Sequence, residues 1–146
     1  MKLCSPRPVL TALGLTAALL VAAPAFAETV AYPGMLNGAS EVPANATTGT
    51  GNADAKYDTV TKTLSWTITY SGLTGPATAA HFHGPAAAGA NAAPVVPISG
   101  SLASPITGNA VLTDAQAADL AAGKWYFNIH TDANKGGEIR GQVMKK

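Results

Sequence analysis

Apolar and polar residues alternate one for one through much of this chain. In TLSWTITYSGL, Leu64, Trp66, Ile68 and Tyr70 share one face, and Ser65, Thr67, Thr69 and Ser71 share the other. Successive side chains of a strand point to opposite sides, so a period of two predicts a half-buried antiparallel strand. The preceding GNADAKYDTVTKTL repeats the pattern through Ala53, Ala55 and Tyr57 and then turns, which predicts a hairpin. KWYFNIH sets Trp125, Phe127 and Ile129 against Tyr126, Asn128 and His130, with Tyr126 expected at the surface. EIRGQVM sets Ile139, Gly141 and Val143 against Glu138, Arg140 and Gln142. PVVPIS and TGNAVL are shorter candidates whose flanking prolines, Pro94, Pro97 and Pro105, suit edge positions or bulges.

One segment breaks the period. In TDAQAADLAAG, Thr113 and Gln116 form a capping-box pair, Asp114 suits the first helical turn, and Gly123 can end the helix. The Ala/Gly/Pro-rich stretch 84–94 reads as a long loop. Many short strands, regular turns and one connecting helix predict an all-β, Greek-key antiparallel β-sandwich or barrel.

The first 27 residues follow other rules. Lys2 and Arg7 give a basic start, an apolar run follows, and Ala25-Phe26-Ala27 is a small-x-small cleavage pattern. Together they predict a cleaved signal peptide over residues 1–27, one domain over 28–146, and a secreted or periplasmic destination. The apolar run is too short for a spanning helix, so no membrane span is expected after cleavage. The only cysteine, Cys4, lies in the leader, which removes disulfides and thiolate ligands from the remaining domain. That domain carries seven basic and eight acidic residues, a balance with no handle for nucleic acid. Glycine-rich phosphate loops, a nucleophile elbow and an HExxH helix are all missing from the sequence.

The candidate chemistry lies with the histidines. The chain has three. His81 and His83 stand two apart in AAHFHGP, so on a strand both imidazoles face the same side. His130 falls on the strand face opposite Trp125, Phe127 and Ile129. If the three converge, they form an all-imidazole site with open coordination positions, suited to Cu(II) by the affinity order, with zinc as the alternative. Asp132 is a candidate fourth ligand or supporting acceptor. The blander possibility is that His81 and His83 merely flank a core Phe82. Glu41, Glu138 and Arg140 form a second group, read as a structural ion pair clamping the first and last strands. A hydrolase using Glu41 or Glu138 would instead need an open carboxylate in a cleft. Asn45-Ala46-Thr47 is a glycosylation sequon, relevant only in a eukaryotic secretory route.

Three stretches carry a family resemblance: LNGASEVP (36–43), GLTGPATAAHFHGPAAAGANAAPVV (72–96) and GKWYFNIHTDANKGGEIRGQV (123–143). In this order they resemble the CHRD domain, found as repeats in chordin and singly in secreted bacterial proteins. The resemblance implies an immunoglobulin-like or superoxide-dismutase-like β-sandwich and no particular activity. H-x-H on a sandwich strand is also distantly similar to Cu,Zn superoxide dismutase. Those enzymes, however, use more histidines than this chain possesses, so full dismutase activity is not expected. Two roles follow: an exported copper-binding domain, or a non-enzymatic module for an extracellular protein partner.

Overall fold

The computed structural model describes residues 28–146. The expected leader lies outside the described residues. Eight strands form one antiparallel sheet: β1 (Thr29–Asn37), β2 (Thr50–Asp58), β3 (Thr63–Ser71), β4 (Ala77–His83), β5 (Pro94–Pro97), β6 (Ile106–Val111), β7 (Trp125–Thr131) and β8 (Ile139–Val143). Their order across the sheet is β5-β4-β7-β8-β1-β2-β3-β6. The chain runs β1 to β3, crosses to β4 and β5, returns for β6, and crosses again through helix α1 (Asp114–Ala121) to β7 and β8. This is the expected Greek-key wandering, with the first and last strands as neighbours.

The sheet curls over its own apolar face into a nearly closed barrel. Trp66 of β3 and Phe82 of β4 belong to opposite halves of the strand order, yet their ring centroids are 5.2 Å apart. Phe82 meets Phe127 edge-on at 4.8 Å. The inward sets are those the alternation marks: Ala53, Ala55 and Tyr57; Leu64, Trp66 and Ile68; Trp125, Phe127 and Ile129; Ile139 and Val143. Each large side chain so buried contributes about 1.5–3 kcal/mol of transfer free energy. Tyr70, at the end of its strand, is only half-buried and donates its hydroxyl to the Leu102 carbonyl at 2.6 Å.

Two details differ from the pattern-based expectation. Residues 29–37 form a full strand although Pro33 and Gly34 interrupt their alternation; Val30, Tyr32 and Leu36 still face the core. Tyr126, expected at the surface, is 3% exposed because Arg140 and the 84–93 loop cover it. The helix matches its sequence signal. Gln116 N–H donates to Thr113 Oγ1 at 3.2 Å, Thr113 N–H donates to Gln116 Oε1 at 2.9 Å, and Gly123 follows at φ +69°.

Candidate metal centre

The site lies on the outer face of β4, β7 and β8. Antiparallel pairing sets Ala79 opposite His130, His81 opposite Asn128, and His83 opposite Tyr126. The ladder continues from Asn128 to Arg140 and from Tyr126 to Gln142 on β8. Because Phe82, Phe127 and Ile129 point inward, their alternates point outward, and all three histidines share one side. His81 and His83 are strand neighbours at i and i+2, and register places His130 diagonally beside His81.

Their rings meet at centroid distances of 5.3 Å for His81–His83, 5.1 Å for His81–His130 and 6.2 Å for His83–His130. His81 Nδ1 stands 3.2 Å from His130 Nε2. One nitrogen from each ring lies within 4.8 Å of the other two. Nitrogens sharing one ion at bond lengths of about 2.0–2.1 Å sit about 3.3 Å apart at a tetrahedral angle and about 4.2 Å at most. The first pair already has that spacing, and the widest exceeds the limit by about half an ångström at most.

Backbone carbonyls orient two of the rings. His83 Nδ1 lies 2.9 Å from the Ala92 carbonyl, and His130 Nδ1 lies 2.9 Å from the Lys135 carbonyl. A carbonyl only accepts, so each Nδ1 carries the proton and each Nε2 is an acceptor; that of His130 accepts from His81 Nδ1 at 3.2 Å, and that of His83 is left free. This is the arrangement that fixes metal-binding histidines. His83 Nε2 is buried without any hydrogen-bond partner. Burial holds all three imidazoles below their ordinary pKa. For His81 the neighbouring His130 adds to this, while the carbonyl contacts at His83 and His130 partly oppose it. Neutral imidazole is the form that binds metal.

Tyr126 supports the cluster from the side. Its ring stacks on His83 at 4.8 Å with 3° between planes, and the Arg140 guanidinium lies 3.4 Å above the Tyr126 ring centroid. The Tyr126 hydroxyl accepts from Ala92 N–H at 3.1 Å and donates to the Ala92 carbonyl at 3.3 Å, the carbonyl that also holds His83. The 84–93 loop therefore fixes ligand and support together. Asp132 is exposed and lies outside the histidine group.

The structure does not assemble the expected Glu41–Glu138–Arg140 clamp. Among the described residues no carboxylate lies within 4.0 Å of Arg140. Glu138 is fully buried among threonines instead. It accepts from Thr131 Oγ1 at 2.6 Å, from Thr47 Oγ1 at 2.7 Å, and from the N–H and hydroxyl of Thr74 at 2.7 Å each. Burial opposes its charge, yet these bonds win and bring its pKa down to about 2. Glu41, 6% exposed, accepts from Asn128 Nδ2 at 2.7 Å. With so few donors, burial outweighs Arg140 and raises its pKa to about 7. Gly137 (φ +136°) packs against this Glu41–Asn128 pair, where any side chain would collide. Glu138 is sealed among its threonines, whereas Glu41, although nearly buried, lines a cavity together with Arg140.

Asn45 of the sequon is also committed. Its Nδ2 donates to the Gly137 and Glu138 carbonyls at 3.3 and 3.0 Å, and its Oδ1 accepts from Thr47 N–H at 3.1 Å. Sequence reasoning missed the roles of Asn128 and of the three threonines. The signal for Asn128 was present, since it alternates with the core face of β7. The threonines come from three separate segments and leave no local pattern.

These features define an all-β antiparallel domain with a three-imidazole cluster on its outer face. The family model for the CHRD domain matches residues 32–143, and the chain belongs to the CHRD domain family. No curated protein and no solved structure was found to match it.

Proposed function

We propose that this protein is an exported CHRD-domain protein that binds one transition-metal ion, copper, through His81, His83 and His130. The observation that carries the reading is the convergence of three imidazole nitrogens, with the His83 Nε2 lone pair buried and unpartnered. A buried polar atom without a partner is costly, and an ion would relieve it. An all-nitrogen donor set without thiolate suits Cu(II) ahead of zinc in the affinity order. Three protein ligands leave positions open for water or a small substrate, consistent with metal handling or redox chemistry. Export rests on the basic, apolar and small-x-small pattern of residues 1–27.

The test is calorimetric titration of the protein with Cu(II) and with Zn(II), repeated on His83→Ala. The expected result is one-to-one binding, tighter for copper. The substitution should weaken it about a hundredfold, or about 2.7 kcal/mol. No binding, or binding indifferent to the substitution, would overturn the proposal and favour a module for an extracellular protein partner.

A further inference from the structure

A second group of polar side chains lies on the same outer face, joined to the histidine cluster through Tyr126, which stacks on His83 and carries Arg140. The segment after β1, the 84–93 loop and β8 border a half-open cavity of about 280 Å³, lined among others by Glu41, Ala88, Arg140 and Gln142. At about 30 Å³ per water, that is room for about nine waters or one small organic molecule.

The cavity wall is electrically incomplete. Arg140 is 2% exposed, and its guanidinium keeps its charge at every pH a protein meets. It donates to Asn91 Oδ1 at 2.8 Å and to the Ala90 carbonyl, and it stacks on Tyr126. All three partners are neutral. A buried cation ordinarily has a counter-charge, and among the described residues none lies within 4.0 Å of this one. Glu41 stands in the same wall, and its burial favours the protonated, hydrogen-donating form up to neutral pH. Gln142 donates its amide N–H groups to the Ala86 and Gly123 carbonyls at 2.9 and 2.7 Å and leaves its buried Oε1 with no partner. The wall therefore offers a fixed cation and a carboxyl donor, and one of its residues, Gln142, carries a buried acceptor with no partner.

We infer that this cavity binds a small hydroxy or amino carboxylic acid: the ligand carboxylate pairs with Arg140 and accepts from Glu41, while the adjacent hydroxyl or amino group donates to Gln142 Oε1. A plain monocarboxylate satisfies only the first two groups, and a tetrahedral inorganic anion has no donor for the third. This assignment does not depend on a metal.

The experiment is calorimetric titration of the chelator-treated protein at pH 6 with glycolate, acetate and sulfate in turn. Glycolate is expected to bind one-to-one and at least tenfold more tightly than either other anion. Ala88→Leu enlarges an exposed loop residue into the cavity and should weaken glycolate at least tenfold without disturbing the fold. Gln142→Met should remove the preference of glycolate over acetate. Absence of saturable glycolate binding, or binding that Ala88→Leu leaves intact, would overturn the site. Sulfate binding as tightly as glycolate would overturn the ligand class.

Discussion

Phe82, Phe127 and Ile129 point into the barrel, whereas His81, Asn128 and His130, one residue along the same strands, point out beneath the loops. The inner face is held by contact alone, with aromatic edges against aromatic faces and little polar capacity to satisfy. The outer face is also largely covered, but by polar groups that must find partners. Four buried side-chain polar atoms lack a partner among the described residues. Three of them, His83 Nε2, Asn128 Oδ1 and Gln142 Oε1, belong to the outer layer. Burial on one face makes stability; on the other it leaves specific lone pairs unused, and such unused capacity is the mark of a binding surface.

The largest expected effect lies on the inner face. Phe127→Ala should lower unfolding free energy by about 3–5 kcal/mol in urea denaturation, because it removes a buried ring and leaves a cavity beside Phe82. A loss below about 1 kcal/mol would mean that the core is not packed as described.

The next two effects separate a satisfied carboxylate from an unsatisfied one. Glu138 is held at a pKa of about 2, below its unfolded value of 4.5. Its contribution is therefore complete above pH 4.5 and disappears as pH falls toward 2. Glu138→Gln should cost about 2–3 kcal/mol at pH 7, and the gap from wild type should close across that acid range. Glu41 has the opposite sign. With a folded pKa raised from 4.5 to about 7, it favours the fold while protonated and loses that contribution as pH rises between these values. Wild type should thus lose about 2 kcal/mol of stability from pH 5 to pH 8 relative to Glu41→Gln, in which Gln can still accept from Asn128. Parallel stability–pH curves for wild type and the two variants would erase the distinction between the carboxylates.

Much of the fold was legible because alternation is a local signal. The strands around Trp66, Phe127 and Ile139 announce themselves, and the Thr113–Gln116 pair announces the helix. β1 was obscured by Pro33 and Gly34, whose conformational needs hide a strand that its pairing with β2 secures. For the site, i and i+2 spacing put His81 and His83 on one side, and parity put His130 on an outward face. Their meeting depends on the β4–β7 register that sets Ala79 opposite His130, a long-range choice that no segment encodes alone. Hydrogen-bond supply was likewise invisible. Glu41 and Glu138 look alike in sequence, and only the three threonines separate their chemistry.

The most direct test of the central claim is pulsed electron paramagnetic resonance of the protein carrying one equivalent of Cu(II). The account predicts nitrogen modulation from three imidazoles, falling to two in each of His81→Ala, His83→Ala and His130→Ala. A signal from fewer than three imidazoles in wild type, or one that His130→Ala leaves unchanged, would contradict it.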